Sequence, residues 1–142
     1  MKMVDANILL YAVNRDAPHH VRARSWWEEA LGGDETIGLA WTVLLAFLRI
    51  ATLPAAFRSP LTPRQAMDEV TAWLAHPNTQ LVAETERHWD ILRALLPEAQ
   101  TSGNLVPDAH LASIALGHAA CLASCDSDFA RFPGLRWENP LA

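Results

Sequence analysis

The chain has 142 residues and no apolar run approaching the roughly 18 residues that a membrane-spanning helix needs. Its first residues lack the make-up of a signal peptide. Asp5 and Asn7 interrupt the apolar stretch, and no small-residue cleavage site follows. The expected compartment is therefore the cytoplasm. Cysteine is scarce: Cys121 and Cys125 stand four apart, which is not the spacing of a redox or zinc pair. They are expected as free thiols beside a buried strand in a reducing environment. The six histidines show no ligand spacing either, because His19 and His20 are adjacent and the others are scattered. Lys2 is the only lysine, which excludes chemistry that needs a lysine late in the chain. Cations are outnumbered, 11 against 16 acids, for a formal charge of −5. That argues against broad, sequence-blind nucleic-acid binding through a basic surface.

What remains is 51% apolar, enough for a real core in one domain spanning 1–142. Met3-Val4-Asp5-Ala6-Asn7-Ile8 reads as a short buried strand that delivers an aspartate to its C-terminal end and turns at once into a helix, running to about Val13. Asn14 to Pro18 is a polar turn. A second helix starts near His19, carries Trp26, Trp27 and Leu31, and stops at Gly32-Gly33. Thr36 to Leu39 is a short strand. Trp41 to Thr52 is apolar nearly all round, so that helix is expected to be buried on most sides. Thr62-Pro63-Arg64-Gln65 has the residues of a capped helix start, with Ala66, Val70, Trp73 and Leu74 as its stripe. Strand Thr79–Val82 follows, then a helix for which Thr85 is the candidate cap, with His88, Ile91, Leu92 and Leu95 on one face. Glu98 to Asn104 reads as a loop, and Leu105-Val106-Pro107-Asp108 opens another helix, with His110 and His118 expected to pack on it. Ala120–Ser124 is a small-residue strand, and Leu135–Glu138 is the last strand candidate. Strands alternating with helices give an α/β class with a mostly parallel sheet.

Three places share one grammar. Asp5 follows a strand, Asp126 and Asp128 follow a strand, and Asp108 stands in the first turn of a helix. Each has an ordinary explanation as a helix cap or an Asx turn. Together they would crowd carboxylates at one edge of the sheet, where open parallel sheets carry their chemistry. Crowded carboxylates repel unless a cation joins them, and oxygen-only ligands suit Mg²⁺ or Mn²⁺. Such a site accounts for part of the negative charge, and its bound cations would reverse the local sign. Glu28, Glu29, Glu69 and Glu98 do not share the pattern and are expected as solvated charge.

At this point the chain resembles a family. Val4-Asp5-Ala6-Asn7, the run Leu44 to Thr52 (LLAFLRIAT), Gly103 to Ala112 around Asp108, and Ser124-Cys125-Asp126-Ser127-Asp128-Phe129-Ala130-Arg131-Phe132 match, in that order and spacing, the PIN-domain ribonucleases. Within them the chain is similar to the VapC toxins of bacterial toxin–antitoxin pairs, nearly end to end. The resemblance implies a PIN-like three-layer fold and Mg²⁺-dependent hydrolysis of RNA to 5′-phosphate and 3′-hydroxyl ends, with transfer RNA ahead of bulk messenger. It implies Asp5 and Asp108 as the main metal ligands, Asp126 as a third acid, Asp128 as its neighbour, and Asn7 as a supporting hydrogen-bonding residue. It also implies a small VapB-type antitoxin as partner, whose tail could insert an Arg among the carboxylates, and a homodimer. One position departs: most of the family has a glutamate where this chain has Ala46. The LRIAT run resembles a mycobacterial-type branch that tolerates a small residue there.

Four arginines, Arg22, Arg24, Arg49 and Arg58, could contact phosphates or be ordinary surface charge. Asp126-Ser127-Asp128 also resembles the Asp-x-Asp of haloacid-dehalogenase-type phosphatases, but Ala130 stands where those have Thr, and a later Lys is missing. A phospho-receiver module fails for want of the same lysine. The non-enzymatic rival is an intact but impaired fold, through Ala46, that serves as an antitoxin-binding decoy.

Overall fold

Three residues of strand and a single carboxylate set the frame. β1 (Lys2–Val4) runs straight into α1 (Ala6–Val13) because Asp5 stays extended and caps the helix, accepting a hydrogen bond from the Ala6 N–H at 2.7 Å. The computed structural model describes residues 1–98 and 105–142. After α1 come α2 (His20–Gly32), β2 (Ile37–Leu39), α3 (Trp41–Ala51), α4 (Pro63–Ala75), β3 (Thr79–Leu81), α5 (His88–Glu98), α6 (Val106–Gly117), β4 (Cys121–Ala123), a 3-10 turn (Ser127–Arg131) and β5 (Trp137–Glu138). The loop expected to run on from Glu98 to Asn104 lies, beyond Glu98, outside the described residues.

The five strands form one sheet in the order β3-β2-β1-β4-β5, and every pair is parallel. Met3 and Val4 are both fully buried, as are Leu122 and Ala123. Successive strand residues point to opposite faces, so both faces of the sheet are covered by helices. This is the expected α/β three-layer architecture, with the sheet wholly rather than mostly parallel. The chain leaves β1 toward β2 on one side and returns to β4 on the other. The crevice beyond the C-terminal ends of β1 and β4 is therefore the switch point at which such sheets bind ligands.

Local signals act where the sequence places them. Thr62 accepts from the Gln65 N–H at 3.1 Å while Gln65 Oε1 accepts from the Thr62 N–H at 2.9 Å, a closed capping box with Pro63 at the first helical position. α2 begins after His19, which takes a left-handed backbone (φ 59°), and ends at Gly32. Thr85, by contrast, does not cap α5, which starts later at His88; its backbone carbonyl accepts from the His88 N–H at 3.0 Å in the turn before the helix. Trp27, Phe47 and Trp73 meet edge to face, with centroids 5.7 Å (Trp27–Trp73) and 4.7 Å (Phe47–Trp73) apart, and lock α2, α3 and α4 together. Both cysteines are free and half-buried, and burial raises the pKa of each thiol. Among the described residues no helix is long and apolar enough to cross a membrane.

Two further expectations need correction. α3 buries Val43, Leu44, Phe47 and Ala51, but it leaves Trp41 52% and Leu45 59% exposed. Its apolar residues encircle the helix while only one side meets the core. His110 does pack, edge to face on His88 with ring centroids 4.8 Å apart, but both His110 and His118 are also polar ties. His118 Nε2 lies 2.7 Å from the Ala83 carbonyl, and His110 bridges His88 Nε2 (3.0 Å) and Glu84 Oε1 (3.2 Å).

Candidate metal centre

The end of β1 and the end of β4 are held side by side by the sheet. Val4 is in register with Ala123, and the Asp5 N–H continues the ladder to the Ala123 carbonyl at 2.9 Å. That places Asp5 beside Ser124, whose side chain is completely buried. The Ser124 hydroxyl donates to Asp5 Oδ2 at 2.7 Å and accepts from the Asp126 N–H at 3.1 Å. Asn7 Nδ2 lies 3.2 Å from Asp5 Oδ2 and 3.1 Å from Ser124 Oγ, and Asn7 Oδ1 accepts from the Cys125 N–H at 3.4 Å. Both oxygens of Asp5 are thus engaged before any ligand arrives. Asn7 thus ties Asp5, Ser124 and the Cys125 backbone together. Ser124 is the residue that sequence reasoning passed over. Its signal was a hydroxyl at the end of a small-residue strand, where a buried polar group must find partners.

The other acids converge from separate elements. Asp126 caps the 3-10 turn by accepting from the Asp128 N–H at 2.9 Å. Asp108 sits in the first turn of α6, but its side chain is not the cap, because Leu105 holds that position. Among the described residues the Asp108 carboxylate accepts no hydrogen bond. Asp108, Asp126 and Asp128 each bring a carboxylate oxygen within 4.8 Å of the others. Asp5 is not one of that trio. It meets Asp108 across a cavity of about 110 Å³, lined also by Ala6, Thr42, Val43, Ala46, Pro107 and Leu111. Asp128 is already shared with Arg131, whose Nε lies 3.5 Å from its carboxylate.

Electrostatics follow from this crowding. Burial, and then the charges of Asp126, Asp5 and Asp128, push the Asp108 pKa up to about 6. Burial also raises Asp5, although the Ser124 and Ala6 hydrogen bonds pull in the opposite direction and the Asp126 charge adds to the rise. A carboxylate with spare lone pairs, strained by like charges on three sides, is a group that gains from a cation. An oxygen-only donor set within 4.8 Å therefore fits a hard divalent metal. Among the described residues no other set of three such side chains is arranged in this way.

A PIN domain family model matches residues 2–135. The whole chain is 49% identical to Ribonuclease VapC37 of Mycobacterium tuberculosis over 142 residues, covering 99% of that protein. The chain belongs to the VapC family of PIN-domain proteins. Ribonuclease VapC33 of the same organism is 40% identical over 141 residues, 99% of each chain. Among solved structures, VapBC2 from Rickettsia felis bound to a promoter DNA fragment aligns with a TM-score of 0.73 at 22% identity, covering 97% of both chains. VapC20 of Mycobacterium tuberculosis, described as a sarcin–ricin loop cleaving toxin, aligns with a TM-score of 0.69 at 13% identity over 92% of this chain and 93% of its own. At those identities the two structures speak to the fold alone.

The arginines divide. Arg22 donates to the Ala142 carbonyl at 2.8 Å, and Arg24 pairs with Glu28 at 3.0 Å. Arg49 and Arg58 have no ion-pair partner among the described residues.

Proposed function

We propose that this VapC-family chain is the toxin of a toxin–antitoxin pair and a metal-dependent endoribonuclease. The observation that carries the reading is the meeting of Asp108, Asp126 and Asp128 at the switch point of the sheet, with Asp5 fixed behind them. The names of its relatives, Ribonuclease VapC37 and VapC33, support the same activity. Asp5 and Asp108, which line one cavity, would be the main ligands of Mg²⁺ (or Mn²⁺), with Asp126 as a third acid and Asp128, tied to Arg131, the weakest contributor. When bound, the ion supplies charge neutralisation at the phosphate and acidifies water in the cleft.

The chain's own residues do the rest. Ser124 and Asn7 hold Asp5 in one rotamer, so the floor of the cleft does not reorganise as substrate enters. The backbone N–H groups of Asp126 and Asp128 are taken up locally, by the Ser124 hydroxyl and the Asp126 carboxylate. In the reaction a water oxygen bonds to phosphorus and the bond to the 3′ oxygen breaks. The proton ends on that oxygen, leaving 5′-phosphate and 3′-hydroxyl ends. Structured RNA, transfer RNA first, is the expected substrate class, read through exposed loops rather than through a basic surface. A VapB-type antitoxin would restrain the enzyme by laying a tail with an Arg among these carboxylates. A chain of the same fold occurs in a toxin–antitoxin complex from Klebsiella pneumoniae. A homodimer in the cytoplasm completes the reading.

The experiment is cleavage of an RNA panel by purified, antitoxin-free protein with Mg²⁺, with EDTA, and by Asp108→Ala and Asp5→Ala. Wild type should cut only with the metal, and both variants should lose most activity. A wild type that cuts nothing would favour the decoy.

A further inference from the structure

One wall of the acid cleft carries no charge. Thr42, Val43 and Ala46 of α3 line the same small cavity as Asp5 and Asp108. Thr42 and Ala46 are four residues apart and so lie on one helix face. Because Ala46 ends in a methyl group, Thr42 is the one uncharged polar side chain among the lining residues.

Its hydroxyl also differs from those of two other helical threonines. Thr52 and Thr71 turn theirs back onto the carbonyls of Leu48 (2.8 Å) and Met67 (2.9 Å), one turn earlier in their helices. Thr42 is the second residue of α3, so no helical carbonyl lies one turn before it. Among the described residues its hydroxyl has no hydrogen-bond partner, and the residue is exposed. The start of α3 itself has Ala40 as its cap, which offers no side-chain bond. Ionised Asp5 and Asp108 can only accept hydrogen bonds, and so can a phosphodiester oxygen. Of the three polar side chains around the cavity, only Thr42 can donate to RNA.

We propose that Thr42 is a substrate-contact residue, its hydroxyl donating to a non-bridging oxygen of the RNA phosphodiester held against the acid cleft. The inference rests on the nuclease reading above and adds to it a residue that faces the substrate rather than the cation. Ala46 leaves the room into which that phosphate fits.

The test compares wild type, Thr42→Val and Thr42→Ser on a 5′-labelled RNA pool of random sequence, with Mn²⁺ affinity measured separately by electron paramagnetic resonance. Valine keeps the shape and removes the donor, and serine keeps the donor. Thr42→Val should lower kcat/KM about tenfold, with Mn²⁺ affinity and melting temperature unchanged, while Thr42→Ser stays within about threefold of wild type. Cleavage by Thr42→Val at the wild-type rate overturns the inference and leaves the nuclease reading intact. So does a serine variant as slow as valine, or a loss of Mn²⁺ affinity in Thr42→Val. A wild type that binds no Mn²⁺ and cuts no RNA overturns both.

Discussion

Replacing Asp108 with asparagine removes a charge and keeps the shape, so its effect on stability can be worked from the site. Asp108 has its pKa pushed from 3.8 to about 6 by burial and by Asp126, Asp5 and Asp128. A displacement of that size corresponds to about 3 kcal/mol of unfavourable interaction in the ionised form. The side chain is only half-buried, and solvent screening reduces the figure to roughly 1–2 kcal/mol. The sign is fixed by which state ionises first. Below about pH 4 the group is protonated in both folded and unfolded chains and nothing is lost. As pH rises, the unfolded chain releases its proton first, so the metal-free protein loses stability between about pH 4 and pH 6 and stays at the lower value above.

Asp108→Asn has no such penalty. In EDTA at about pH 7 it should melt roughly 3–6 °C above wild type, and the difference should vanish near pH 4. Saturating Mg²⁺ should reverse the order by stabilising wild type, by about 2.7 kcal/mol at a hundred times its dissociation constant. Thermal melts followed by circular dichroism over this pH range test all three statements. An asparagine variant that is less stable than wild type in EDTA at neutral pH would refute the reasoning, because Asp108 would then be making a favourable contact.

Two further outcomes follow from the same geometry. Ser124→Ala deletes a buried hydroxyl that serves Asp5, Asn7 and the Asp126 N–H, and should lower stability by about 2–3 kcal/mol in urea melts while also slowing cleavage. A loss below about 0.5 kcal/mol would mean that the network is not structural. Asp128→Asn should slow cleavage far less than Asp108→Asn, because Asp128 already faces Arg131, and side-by-side initial rates at saturating Mg²⁺ decide it.

Much of this was legible in the chain. Asp5 is readable because a three-residue strand, a carboxylate and an apolar helix follow one another without a gap, and capping links them locally. The Thr62 box is readable for the same reason. Ser124 was not, because its meaning depends on Asp5, 119 positions away in sequence, and on the register of two parallel strands. Asp108 was singled out in the sequence as a metal ligand, but its freedom from the helix cap was hidden. Its neighbours look like those of a capping acid, yet the helix is capped elsewhere and the carboxylate accepts no bond among the described residues. The exposed Trp41 and Leu45 escaped because an all-apolar helix shows no periodicity from which to tell its outward side. His110 looked like helix packing, since nothing local announces that Glu84 and His88 converge on it from outside α6.

The most direct test of the central claim is the rate of RNA cleavage by antitoxin-free protein, for wild type against Asp108→Asn, with Mg²⁺ and with EDTA. The acid cluster as a metal-dependent nuclease site predicts cleavage by wild type with Mg²⁺, none in EDTA, and a loss of at least about a hundredfold in the variant. Cleavage that persists in EDTA, or an Asp108→Asn variant as active as wild type, would contradict it.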